Sequence, residues 1–284
     1  MLNKILLADS GTGHSEEMLQ YLLELPSLKN ASITLLHVVP SQVTSEAMTE
    51  KWEEAGKVVA GAIQRMHLDP TQVSTMLRQG DPKTTVCEVA EEIETDLIIM
   101  GSRGLKRLES ILENSVSQYV FQLSTRPMLL VKDDIYVTRL KRIMVAVDQS
   151  QDAQYCLELA LFLLKDIPSG QLFLVQVDPS MEEGEVLSGQ EAENTAVLAP
   201  AVEQAKKQGV NYRGIVAGGK SGPTLCELAD ENKVDLLMLG SPDRRPTIAK
   251  SLPDLDRLLG ASLSDYVRVY ANCPVLLGRR TAEQ

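Results

Sequence analysis

Short apolar runs alternate with amphipathic stretches along the whole chain. In the first half the runs "KILLA" (4–8), "SITLLHVV" (32–39), "VSTMLRQ" (73–79), "DLIIM" (96–100) and "PMLLV" (127–131) have strand length. Between them, "SEEMLQYLLEL" (15–25), "TSEAMTEKWEEAGKVVAGAIQRMH" (44–67), "DPKTTVCEVAEEI" (81–93) and "LESILENSVSQYVFQL" (108–123) carry apolar residues at helical spacing. Ser15 is a candidate N-cap, with Glu16 and Glu17 favourable in the first turn that follows. Asp81 caps the third helix and Pro82 fills its first position. Strand–helix alternation of this kind predicts an α/β fold, a mostly parallel sheet covered by helices on both faces. Ligands of such sheets sit beyond the carboxyl ends of the strands, where strand order reverses.

The pattern then repeats. "GDPKTTVCEVAEEIETDLIIMGS" (80–102) lies over "GKSGPTLCELADENKVDLLMLGS" (219–241) without a gap. "SVSQYVFQLSTRPMLLV" (115–131) lies over "SLSDYVRVYANCPVLLG" (262–278), and "KILLADSG" (4–11) answers "RIMVAVDQS" (142–150). A period this long marks a duplicated domain rather than a solenoid. The expected domains are 1–135 and 140–284, with the boundary in "DDIYVTRL" (133–140) and the same strand and helix order in each.

Composition narrows the functions. The 284 residues carry a formal net charge of -11, which sets phosphate-rich nucleic acids at a disadvantage as partners. The apolar runs are too short to span a bilayer, and the N-terminus lacks the h-region of a signal peptide. Four scattered cysteines without a C-x-x-C pair fit reduced, buried thiols, so a cytoplasmic location is expected. Three histidines show no zinc-ligand spacing. No nucleophile or acid/base pair with supporting context emerges, so the chain is expected not to be an enzyme.

One motif invites a wrong turn. "GIVAGGKS" (214–221) has the G-x-x-x-x-G-K-S spacing of a P-loop. By the internal repeat, however, Gly214, Ile215 and Val216 belong to a strand matching "QVSTMLRQG", whereas a P-loop needs them in a loop. The favoured reading is a strand ending in a glycine turn, with Lys220 at the surface.

A better site follows the fourth strand, in "GSRGLKRLESILENSVSQYV" (101–120). Gly101 and Gly104 would let backbone N–H groups approach an anion. Asn114, Ser115 and Val116 would present donors at a helix start, where the dipole favours phosphate. Here the chain resembles the universal stress protein family, and the duplication resembles a tandem member over nearly the whole length. The resemblance implies two repeated, doubly wound five-stranded parallel-sheet domains of the adenine nucleotide alpha hydrolase-like type. It also implies binding of ATP or AMP, with or without Mg, little or no catalysis, and a regulatory role in stress.

Residue by residue, the family motif falls on Gly101, Gly104 and Ser115, with Asn114 where a third glycine is expected; Arg103, between the two glycines, is counted with them as a binding residue. The family's first-strand aspartate is matched by Asp148 in the second half. In the first half either Asp9 reaches the ligand through a bulge or Ser10 takes its place. Val38 matches the position whose backbone meets adenine. In the second half Asp243 and Ala261 replace the second and third glycines, and the loop is longer and holds three prolines. One nucleotide, bound in the first half, is the expectation; a scaffold whose sites have both decayed is the alternative. The family's pairing through last strands implies an intramolecular pseudo-dimer of the two domains through 127–131 and 274–278. A homo-dimer or a protein partner is also compatible.

Overall fold

A computed structural model of the chain describes residues 2–11, 14–69, 71–102, 115–242 and 262–280. The chain divides into two compact units, which apart from residues 25–27 part between Tyr136 and Val137.

The first unit contains β1 (Lys4–Ala8), α1 (Ser15–Leu23), β2 (Ser32–Val39), α2 (Ser45–Met66), β3 (Val73–Gln79), α3 (Pro82–Glu92), β4 (Leu97–Ser102), α4 (Val116–Leu123) and β5 (Met128–Lys132). Its strands are ordered β3-β2-β1-β4-β5, all parallel. Central strands are apolar on both faces because helices cover both, and Leu6, Leu7, Ile98 and Ile99 are fully buried. Edge strand β3 departs from that rule: every one of its residues keeps some exposure, which suits "VSTMLRQ". Along α2, Ala55, Val59, Ala62 and Met66 form the buried stripe, three and four residues apart. Thr44 caps this helix by accepting from the Ala47 N–H. His67, in the left-handed region at φ 49, ends it.

Caps are read well at α3 and less well at α1. The Asp81 side chain accepts from the Lys83 N–H at 3.0 Å, with Pro82 opening the helix. Ser15, expected as a cap, is instead the first residue of α1; His14 holds the cap position and its side chain makes no capping bond. Of the run 108–123, the stretch from Val116 is helical and 108–114 lies outside the described residues.

The second unit contains β6 (Arg142–Ala146), α5 (Gln151–Leu164), β7 (Gln171–Asp178), β8 (Val186–Ser188), α6 (Gln190–Glu193), α7 (Ala199–Lys207), β9 (Tyr212–Gly218), α8 (Ser221–Glu231), β10 (Leu236–Gly240), α9 (Leu263–Tyr270) and β11 (Val275–Gly278). Its order is β11-β10-β6-β7-β9-β8. The five strands that match the first unit are again parallel. The element order is not quite the same, though. Where the first unit has the single long helix α2, the second has β8, antiparallel on β9, and two short helices. The sequence explains the break: Gly184 and Gly189 adopt positive φ, and Pro200 permits a helix only from its own first turn onward.

The duplicated Asp-Leu pair has a structural cause. Asp96 Oδ2 accepts from the Asn3 and Lys4 N–H groups at 2.7 and 3.0 Å. Asp235 Oδ2 accepts from Lys141 and Arg142 at 3.0 and 2.8 Å. Each carboxylate pins the start of one central strand to the next, at the amino end of the sheet. β9 runs from Tyr212 to Gly218, so Gly214, Ile215 and Val216 are strand residues and Lys220 stands exposed at the cap of α8. That geometry is incompatible with a P-loop.

Candidate functional site

Strand order in the first unit reverses between β1 and β4, and a cavity of about 730 Å³ opens at their carboxyl ends. Of the residues expected to bind, Asp9, Ser10, Val38, Gly101, Ser115 and Val116 all line it. Arg103, Gly104 and Asn114 lie outside the described residues, as do Asp243 and Ala261 of the second half.

Register shows which of Asp9 and Ser10 is the positional counterpart of Asp148. Leu6 of β1 pairs with Ile98, and Met144 of β6 pairs with Leu237, the repeat partner of Ile98. Ser10 therefore stands at the position of Asp148, and Asp9 at that of Val147. Matching backbone bonds agree: Asp9 N–H donates to the Leu36 carbonyl and Val147 N–H to the Val175 carbonyl. One residue along a strand reverses the face, so Asp9 leaves the strand end on the face opposite to Ser10, although both border the cavity. Asp9 is 5% exposed, and its carboxyl accepts from the Gly11 N–H at 3.1 Å. Burial pushes it above the usual carboxylate range; the Gly11 N–H pulls the other way and Glu16 adds to the rise. Glu16 is in turn gripped by Arg65 through two hydrogen bonds of 2.8 and 2.6 Å.

Val38 owes its availability to a strand that stops. Backbone groups of alternate residues point to the same neighbour in a parallel ladder. Leu36 accepts from Asp9 on the β1 side. Two residues on, Val38 directs its N–H and carbonyl to that same side, past the end of β1 and into the cavity. On the opposite wall, Ser115 caps α4 with extended backbone, and its hydroxyl lies 2.8 Å from the Ser117 hydroxyl. Ser102, which also lines the cavity, has a buried hydroxyl with no hydrogen-bond partner among the described residues.

The second unit treats the same positions differently. Ser241, the counterpart of Ser102, accepts from the Ser264 hydroxyl at 3.0 Å. Ser262, the counterpart of Ser115, donates to the Asp265 carboxylate at 2.7 Å and accepts from its N–H at 3.1 Å. Asp265 is 4% exposed and replaces Gln118, so a buried carboxylate occupies the first turn of α9. The Glu182 carbonyl presses on Gly218 so closely that a Cβ there would overlap it. Asp148 accepts from the Ser150 N–H at 2.7 Å and borders a separate crevice of about 380 Å³ beside α5 and α7. Gly240, retained from the motif, has a packing role: an added Cβ would lie 2.5 Å from the Ala153 nitrogen in α5.

Sequence reasoning missed three residues here. Asp265 stands against Gln118 in the aligned repeat and was legible as a charge change. Glu182 reaches Gly218 only through the β8 excursion, which no periodicity signalled. His37 lines the cavity from β2 and bonds the backbone of Asp9 just past β1, a contact that local periodicity does not carry.

A parallel sheet built twice over, with a cavity at the reversal point of the first copy, defines the class, and comparison with known proteins gives the family. The universal stress protein family model matches residues 1–132 and again 139–279, so the chain belongs to that family with two copies of its domain. Universal stress protein YxiE of Bacillus subtilis is 30% identical over 148 residues, covering 46% of this chain and all of that protein. A universal stress protein of Thermus aquaticus is 30% identical over 139 residues, again 46% of this chain and all of its own length. A universal stress protein structure from Archaeoglobus fulgidus matches 99% of this chain and 98% of its own, with TM-score 0.76 and 24% identity. That likeness supports the fold.

Proposed function

We propose that the chain is a regulatory protein of the stress response that binds one adenine nucleotide, ATP or AMP, in the cavity of its first unit. The carrying observation is the unpartnered Ser102 hydroxyl in a cavity that also collects Ser10, the free edge of Val38, Gly101 and the start of α4. A volume of about 730 Å³ falls within the range of roughly 300–1,000 Å³ typical of small-molecule sites. Val38 would meet the base through its backbone, and Ser10 the ribose. Gly101, Ser102 and the N–H groups at Ser115 and Val116 would face phosphate, with Arg103, Gly104 and Asn114 completing that side by family resemblance. None of the described lining residues is Lys or Arg, so phosphate recognition would rest on backbone donors and hydroxyls. Binding rather than turnover is the proposed role, carried out in the cytoplasm.

In the second unit Ser241 is taken up by Ser264 and Ser262 by Asp265, a buried carboxylate that is itself ion-paired with Arg268 at 3.7 Å, so neither hydroxyl is left for a ligand. This favours one ligand over two. Native mass spectrometry of gently purified protein should find about one adenine nucleotide per chain, and titration of stripped protein should give a stoichiometry near one. No binding at millimolar ATP would favour the scaffold alternative instead.

A further inference from the structure

The imidazole of His37 is fixed at one nitrogen and open at the other. Its Nδ1 lies 2.8 Å from the backbone carbonyl oxygen of Asp9. A carbonyl can only accept, so Nδ1 carries the hydrogen and, in the neutral ring, Nε2 is left as an acceptor. The ring is half-buried and lines the cavity, and Nε2 has no partner among the described residues. The Asp9 carbonyl is itself held in place, because the same residue's N–H is bound to Leu36. The acceptor is thus presented on rigid strand ends, next to the Val38 backbone.

We infer that His37 selects the base: its Nε2 accepts a hydrogen bond from the exocyclic amino group of adenine and disfavours 6-oxo purines. This rests on the nucleotide reading above and adds a discriminating group to it. An amino group at C6 offers two hydrogens, so one can go to a backbone carbonyl and the other to Nε2. A 6-oxo purine has an acceptor there and would set two lone pairs against each other. A site built to accept a hydrogen bond rejects the analogue that cannot give one, because its own polar group is left unpaired. The tautomer enforced by Asp9 prevents the ring from adapting, which distinguishes His37 from a rotatable hydroxyl or amide.

The test uses the full-length chain, stripped of nucleotide, titrated with ATP and with inosine triphosphate. The expected result is at least tenfold tighter binding of ATP. His37→Gln supplies an amide that can rotate to give or to accept, so it should raise affinity for inosine triphosphate and narrow the ratio by about threefold or more, the remainder being owed to the backbone carbonyl. His37→Phe, which removes both nitrogens, should narrow the ratio by weakening ATP alone. Circular dichroism checks that both variants fold. An unchanged ratio in both variants, or equal affinities in the parent protein, would overturn the inference and leave the nucleotide reading standing. Failure of the parent protein to bind either nucleotide would overturn the nucleotide reading and this inference with it.

Discussion

The carbonyl of Glu182 occupies the space that a side chain on Gly218 would need, at the carboxyl end of β9. Gly218 is also held from the other side of the contact, its N–H donating to the Glu185 carbonyl at 2.8 Å. The absence of a Cβ is what lets the β7–β8 connection lie against the sheet. Gly218→Val should displace this connection and cost about 1–3 kcal/mol, the usual penalty of overpacking. Thermal melts and limited proteolysis in the stretch 179–189 would report it. Nucleotide stoichiometry should stay near one, since Ser241 and Ser262 remain paired within the second unit. A variant as stable and protease-resistant as the parent would contradict this account.

Ser10 and Asp148 share one register position, yet only Ser10 faces the cavity of the first unit. Ser10→Ala should weaken ATP binding by about tenfold, the loss of roughly one hydrogen bond of 1.4 kcal/mol. Asp148→Ala should leave binding unchanged while removing the turn bond to Ser150, a small loss of stability. Calorimetric titration separates the two. The reverse pattern would place the ligand in the second unit.

Asp9 should act on stability rather than on binding. Its folded-state pKa is raised, chiefly by burial, so the folded chain holds this proton more tightly than the unfolded chain. Its favourable contribution is present below the unfolded carboxylate range, about 3.9, and is lost as pH rises through the higher folded value. Above the unfolded range the raised value therefore counts against folding. Asp9→Asn keeps an oxygen for the Gly11 N–H and removes the charge beside Glu16. Its Tm at pH 7 should exceed that of the parent, on the order of a few degrees, and the advantage should fade toward pH 4. A lower Tm at pH 7 with no pH dependence would count against the argument.

How far the sequence disclosed this depends on the range of the interaction. The five strands of the first unit were legible because buried parallel strands are continuous apolar runs, and α2 because its buried residues keep one helical stripe. The P-loop match fell away because the internal repeat placed Gly214–Val216 in a strand, where β9 has them. The face of Asp9 depends on register across β1, β2 and β4, which no local pattern carries. The long-helix expectation had no counterpart for 179–198, where two positive-φ glycines and an acidic run replace the amphipathic stripe. His37 looked like an ordinary half-buried strand residue until its ring was seen against the end of another strand.

The edge strand of the first unit offers a last prediction. Within that unit β5 pairs with β4 alone, and it reads "MLLVK", with four apolar residues in a row. Edge strands of native sheets are kept short, charged, bulged or covered, since unpaired N–H and C=O groups recruit other chains. Strand β3, at the opposite edge, follows that rule: it carries Arg78, and its residues are partly exposed. β5 carries one charge, at its last position, and has no bulge in its register with β4, from Ile98–Met128 to Ser102–Lys132. Residues 1–136 expressed alone should therefore self-associate, giving dimers or larger species by analytical ultracentrifugation at tens of micromolar. Leu129→Lys with Val131→Lys should shift that fragment toward monomer, provided circular dichroism shows that the α/β signature survives. A parent fragment that stays monomeric and folded at high concentration would show that β5 is protected by some other means.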